Sequence, residues 1–192
     1  MRKLSVFNQV SVDGYFKSSD GESAWMHDQA DDAEYREFVA GNAGGGGVLV
    51  FGRKTYEMMV AFWPTPAASE QFPAVAKQMN GLPKIVFSRT LKKASWNNTN
   101  LVKGDAVAEM RKFKSEPGEP MVILGSGFLV SQLAQADLID EYQLVIVPVV
   151  LGEGKTMFQG LSRRLDLALK KTRSFRNGRA FMVYEPRRER RS

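Results

Sequence analysis

Apolar residues fall along this chain in short continuous runs separated by amphipathic stretches. That is the pattern of parallel strands buried on both faces and joined by crossover helices. Val48-Leu49-Val50-Phe51, Ile85-Val86-Phe87 and Met121-Val122-Ile123-Leu124 are such runs, and Leu4 to Val10 is a mixed β stretch closed by Ser11-Val12-Asp13-Gly14. Between them, helices are expected over 31–40, 55–62 and 72–79, with stops near Pro64 and Pro66. Asp105 is placed to cap a further helix whose Val107, Met110 and Phe113 share one face, and Ser126 to Ala136 opens another.

The last third changes character. Tyr142 to Val150 is a long β run, and Leu165–Phe175 and Arg179–Tyr184 flank Asn177-Gly178, a signal for a two-residue hairpin. Crossover units followed by antiparallel strands predict one α/β domain over residues 1–186, a mixed sheet covered by helices. Residues 187–192 form an Arg-rich tail, expected to be disordered.

Composition narrows the chemistry. The chain has 192 residues, no cysteine and one histidine, His27, read as a surface side chain. Thiolate metal sites, cysteine nucleophiles and histidine-clustered metals are excluded. Chemistry must come from carboxylates, hydroxyls, amines, backbone groups or a borrowed organic cofactor. No apolar run is long enough for a membrane helix and the N-terminus has no signal-peptide pattern, so a cytoplasmic protein is expected. The net charge of +6 is uneven, with acids concentrated before residue 42 and bases after it. A basic excess suits nucleic acid or a phosphorylated small molecule. The basic residues are scattered and no finger or RNA-recognition motif accompanies them, so no nucleic-acid partner is expected, and a basic nucleic-acid-binding protein stays as the rival reading.

Three strand ends carry phosphate-binding chemistry. Val122-Ile123-Leu124-Gly125-Ser126-Gly127-Phe128-Leu129 is a strand, a Gly-x-Gly turn and a helix start, where unpaired N–H groups and the helix dipole favour an anion. A tight strand–helix turn without a ligand is the equal alternative on this segment alone. Gly52-Arg53-Lys54-Thr55 and Ser88-Arg89-Thr90 add cations and hydroxyls at two further strand ends, where open α/β sheets bind ligands. Arg89 suits a 2′-phosphate through forked hydrogen bonds, which favours NADP over NAD. Gly44-Gly45-Gly46-Gly47 lacks a following Gly-Lys-Ser/Thr and reads as a connection.

These motifs carry a family resemblance. Gly52-Arg53-Lys54-Thr55-Tyr56-Glu57, Ile85-Val86-Phe87-Ser88-Arg89 and Leu124-Gly125-Ser126-Gly127 resemble the cofactor segments of dihydrofolate reductase. Ser11-Val12-Asp13-Gly14 with Gly21-Glu22-Ser23-Ala24-Trp25, and Ala136 to Glu141 with Pro148 to Gly154, look closer to the reductase domain of the bacterial bifunctional riboflavin-biosynthesis deaminase–reductase. The resemblance covers residues 3–185. It implies a dihydrofolate reductase-like three-layer fold: a mostly parallel central sheet of about eight strands, flanking helices and a C-terminal antiparallel hairpin. It also implies NADPH binding, hydride transfer to a small heterocyclic or sugar-derived substrate, and a homodimer. Carried over by position, Gly52, Arg53, Lys54, Thr55, Ser88, Arg89, Thr90, Gly125, Ser126, Gly127, Phe128 and Leu129 would hold the cofactor. Asp13, Trp25, Asp31 and Asp32 would face the substrate. Two acids of the riboflavin reductases are missing, with Met58-Met59 and Leu124 in their places.

Reduction also needs a proton. Asp32 is the expected donor, as a partly buried carboxylic acid of raised pKa. The plainer reading makes Asp32 or Asp31 a helix-terminal acid. Asp13-Gly14 is otherwise a turn, and Trp25 either stacks on a flat substrate or closes the core. Met58 and Met59 are expected to pack helix against sheet, and Glu153 to sit in a turn between two glycines.

Overall fold

The computed structural model describes residues 1–21, 24–27, 32–43 and 47–187. In chain order the elements are β1 (Leu4–Ser11), β2 (Tyr15–Ser18), α1 (Ala24–His27), α2 (Ala33–Ala43), β3 (Val48–Gly52), α3 (Arg53–Phe62), α4 (Pro66–Gln71), α5 (Pro73–Gly81), β4 (Lys84–Phe87), β5 (Thr99–Val102), α6 (Ala106–Ser115), β6 (Met121–Leu124), α7 (Gly127–Gln135), β7 (Glu141–Val147), β8 (Gly154–Thr156), β9 (Leu167–Ser174) and β10 (Ala180–Pro186). Eight strands form one sheet in the order β5-β4-β3-β6-β1-β7-β10-β9. The run from β5 to β7 is parallel throughout, and β10 and β9 add antiparallel edges. A small antiparallel ribbon of β2 and β8 lies apart. This is the dihydrofolate reductase-like architecture.

Alternation along the strands divides the core into two layers. Leu4, Val6, Val50, Ile85, Met121 and Ile123 pack beneath α6 and α7 with Met110, Leu129, Val130 and Leu133. On the opposite face, Leu49, Phe51 and Val86 meet Tyr56 of α3 and Met79 of α5. Beside them Val145, Phe175 and Phe181 meet Tyr35 of α2. Between these two helix groups the sheet is thinly covered. Ser5, Phe7 and Gln9 of β1 and Val122 and Leu124 of β6 are only half-buried, whereas Leu4, Val6, Asn8, Met121 and Ile123 behind them are buried. This half-buried face of the two middle strands is the candidate substrate cleft.

Several boundaries differ from the sequence expectation for identifiable reasons. The helix expected over 72–79 is α5, and an unexpected helix, α4, precedes it, because Pro66 stands in its first turn and Thr65 caps it by accepting from Ala68 N at 3.3 Å. Asp105 caps α6 as expected, accepting from Ala108 N at 2.9 Å. The hairpin turn between β9 and β10 is longer than two residues. Phe175 N donates to Arg179 O at 2.9 Å, and Gly178 takes a φ of 81° that a side chain would resist. Gly47 allows a close strand approach, since a Cβ there would lie 2.5 Å from Pro120 O. Glycines 44–46 and the tail from 188 lie outside the described residues. Among the described residues, no helix is long and apolar enough to cross a membrane.

Candidate active site

The glycine turn after β6 is held by side chains from two other strand ends. Asn8 of β1, buried on the α7 side, accepts from Gly125 N at 2.7 Å and donates to Gly125 O at 3.2 Å. Ser126 stands in the left-handed region at φ 56°, ψ 48°, which turns its hydroxyl away from its own helix. That hydroxyl accepts from Gly52 N at 2.8 Å and donates to Thr55 Oγ1 at 2.9 Å. Thr55 Oγ1 also accepts from Ser126 N at 3.1 Å. With both contacts accepted, the Thr55 hydroxyl proton has no partner among the described residues.

This triangle has an electrostatic consequence. Neither Gly52 before α3 nor Ser126 before α7 caps its helix with a side chain. Two helix N-termini therefore face the carboxyl ends of β3 and β6 with open N–H groups. Arg53 Nη1 donates to Thr90 Oγ1 at 3.1 Å, joining the ends of β3 and β4, and Lys54 and Arg89 are exposed beside them. Cations, open amides and a hydroxyl proton suit a phosphorylated ligand.

Not every expected cofactor residue serves that end. Ser88 Oγ accepts from Thr90 N at 3.3 Å and from Leu91 N at 2.9 Å, so it closes the turn after β4. Leu129 is buried in the core beneath α7, which leaves only its backbone for a ligand. Gly127 meets a packing demand: a Cβ would lie 2.7 Å from the Phe16 ring. Gly125 is confined by Thr55, 3.0 Å from a built Cβ, and by its φ of 60°. Phe128 is 77% exposed on the first turn of α7.

The expected substrate acids hold backbone. Asp13 accepts from Gly152 N at 2.8 Å and from Leu151 N at 3.2 Å, tying the loop after β1 to the loop after β7. Hydrogen bonding from the Ser11 hydroxyl, with those two amides, holds its carboxyl below the usual range. Ser19 Oγ reinforces the tie by donating to Glu153 Oε1 at 2.6 Å, so Glu153 is more than a turn residue. Asp32 accepts from Tyr35 N at 3.1 Å, as the cap of α2, and from Asn177 N at 3.1 Å, across to the hairpin. The Tyr35 amide, with that of Asn177, lowers its pKa. The expectation of a raised-pKa acid is therefore corrected: this environment keeps Asp32 ionised. Asp31 and the His27 side chain lie outside the described residues.

Trp25 of α1 is half-buried. Its Nε1 is sealed from solvent without a partner, as is Asn177 Nδ2. Arg179, 2% exposed, bonds to Asn177 and to Met26 beside Trp25, and was missed by sequence reasoning. Arg179 Nη1 donates to Gln9 Oε1 at 2.6 Å and to Met26 O at 3.2 Å, and its guanidinium stands 4.9 Å from the Tyr35 ring centre. Tyr35 Oη donates to Gln9 Oε1 at 3.3 Å. Burial pushes the Tyr35 hydroxyl up, opposed by the charge of Arg179. An arginine at a strand start gives no sequence signal of burial. Asn8 did give one, as a polar residue at an inward position between Val6 and Val10. Met58 is half-exposed, whereas Met59 packs inward and accepts from Trp63 Nε1 at 3.1 Å.

A mostly parallel sheet whose β3 and β6 ends meet two helix starts without side-chain caps defines a reductase-like domain of the dihydrofolate reductase fold. The RibD C-terminal domain family matches residues 2–181, and the chain belongs to that family. Two uncharacterized proteins of Bacillus subtilis (strain 168) are similar to it along nearly their whole length. YyaP is 27% identical over 183 residues, 95% of this chain and 94% of that protein. YwjB is 27% identical over 176 residues, 91% of this chain and 92% of that protein. Among solved structures, a putative riboflavin biosynthesis protein from Shewanella sp. PV-4 superposes with a TM-score of 0.75 at 23% identity, covering 97% of this chain and 99% of that one. A diaminohydroxyphosphoribosylaminopyrimidine deaminase/5-amino-6-(5-phosphoribosylamino)uracil reductase from Thermotoga maritima gives 0.66 at 14% identity, covering 96% of this chain and 56% of that one.

Proposed function

We propose that this protein is an NADPH-dependent reductase acting on a small, flat heterocyclic or sugar-derived substrate. The observation that carries the reading is the Thr55–Ser126–Gly52 triangle, which leaves the starts of α3 and α7 open at one place. NADPH would supply the hydride. The amides at those helix starts and the Thr55 hydroxyl would hold its phosphate groups, and Arg89 and Arg53 would neutralise their charge. The substrate lies over Phe7, Gln9, Val122 and Leu124, where an apolar floor excludes most water and fixes a ring in one plane.

Leu124 and the Met58-Met59 pair stand where the resemblance places acids in the riboflavin reductases. The substrate is accordingly less polar than a phosphoribosyl pyrimidine. With Asp32 held ionised as an anchor, the proton comes from water at the mouth of the cleft.

Calorimetric titration with NADPH and NADH tests the assignment. NADPH is expected to bind more tightly, and Arg89→Ala to weaken NADPH by about tenfold while leaving NADH unchanged, the loss of one charge-assisted contact. Equal affinity for the two cofactors in the unaltered protein would remove the phosphate site. Failure of every substrate in a heterocycle panel to drive NADPH oxidation would remove the reductase reading.

A further inference from the structure

We propose that Gln9 determines the substrate specificity of the cleft, selecting a flat ring that presents a carbonyl oxygen, and that buried Arg179 is its positioning residue. The inference rests on the reading of the cleft as the substrate side of a reductase. Gln9 lies on β1 one residue past Asn8, on the face that the helices leave thinly covered, and is half-buried there. Its amide has a defined orientation. Arg179 Nη1 at 2.6 Å and Tyr35 Oη at 3.3 Å both donate to Oε1, so that end is the acceptor and the amino group is the other end. Among the described residues, the Nε2 amino group has no partner.

Arg179 suits the positioning task. It is 2% exposed and anchored by Met26 O at 3.2 Å, and its own backbone N–H donates to Asn177 Oδ1 at 3.1 Å. That second contact orients the Asn177 amide in the same way, with Nδ2 sealed from solvent and unpartnered among the described residues, as is Trp25 Nε1. The corner therefore offers N–H donors, and its acceptors are already engaged: Gln9 Oε1, Asn177 Oδ1, Met26 O and both oxygens of Asp32. A ligand with an acceptor satisfies such a site, and one presenting only donors leaves it unsatisfied.

Two neutral two-ring probes of similar size separate these cases. N-methylquinolone carries a carbonyl acceptor and no donor; naphthylamine presents an amino donor. Each is titrated against the full chain by ligand-observed NMR, with nitrogen-15 spectra following the Gln9 side-chain amide, identified by its loss in Gln9→Glu. The quinolone is expected to bind about tenfold more tightly than the amine and to shift the Gln9 signal. Gln9→Glu keeps a partner for Arg179 and Tyr35 but replaces the amino group with an acceptor, so it is expected to abolish or invert that preference. Arg179→Lys, which retains a donor to Gln9 Oε1, preserves the preference, and Arg179→Met loses it. A merely structural Arg179 would lower the melting temperature and leave the ratio unmoved. A ratio near one in the unaltered protein, an unchanged ratio in Gln9→Glu, or no binding of either probe at millimolar concentration overturns the proposal. The ratio is read without turnover, so NADPH calorimetry judges the reductase reading separately.

Discussion

The carboxylate of Asp32 accepts from the backbone N–H of Asn177 at 3.1 Å, joining the start of α2 to the turn between the last two strands. The same group caps its own helix through Tyr35 N. One side chain thus fixes both walls of the Gln9 corner, and four expectations follow from this and related contacts.

Because those amides hold the Asp32 pKa below its ordinary value of 3.8, the folded chain binds this proton less readily than the unfolded chain. The anchor adds stability above the ordinary value and loses it as the pH falls through the lowered one. Melting temperatures measured from pH 6 to 2 are expected to fall less steeply in Asp32→Asn than in the unaltered protein. Parallel curves would show that the carboxylate charge contributes nothing to the anchor.

Thr55→Val removes the oxygen that receives Ser126 N and Ser126 Oγ. Ser126 would then lose what steadies its left-handed backbone. A loss of about 1–2 kcal/mol in denaturant unfolding is expected, with NADPH affinity reduced about tenfold. Loss of stability with full cofactor affinity would separate the turn from the phosphate site.

Gly127→Ala drives a methyl group to within 2.7 Å of the Phe16 ring and is expected to cost about 1–3 kcal/mol through overpacking. Pairing it with Phe16→Leu makes room and is expected to recover most of that loss. Absence of recovery in the double variant would place the demand for glycine elsewhere.

Lys84 is 1% exposed at the amino end of β4, and its ammonium donates to Leu82 O at 2.7 Å, Asn97 O at 3.2 Å and Asn80 O at 3.3 Å. Lys84→Met strands those carbonyls and is expected to cost about 2–4 kcal/mol. Burial also pulls the Lys84 pKa from 10.5 to about 8. The unfolded chain therefore binds more protons between those values, and stability should rise with pH there relative to the variant. Urea unfolding at pH 7 and 9.5 checks both, and a flat difference between the two would contradict the second.

The legibility of this fold followed burial. β3 and β4 were readable because their apolar runs are covered on both faces, β6 because its run is apolar throughout although one face is half-buried, and α6 because Asp105 and the spacing of Val107, Met110 and Phe113 agree. β5 was not readable, since Thr99–Val102 is a short edge strand with a half-polar sequence. α4 was hidden because Pro66 reads equally as a stop and as a first helical residue. In the site, the glycine turn and the cations at strand ends announce themselves through local chemistry. The roles of Gln9, Tyr35 and Arg179 arise from contacts between residues as far apart in sequence as 9 and 179, and no local pattern encodes them.

The unequal coverage of β1 and β6 separates two kinds of inheritance. Leu4, Val6, Met121 and Ile123 answer to the folding of the whole chain, so exchange there is constrained. Phe7, Gln9, Val122 and Leu124, on the other face of the same strands, are only half-buried, so exchange there disturbs less packing, although Gln9 also holds buried Arg179. On the proposed reading, a lineage built on this scaffold changes its substrate by altering alternate residues of two strands, while the residues proposed to hold the cofactor stay as they are.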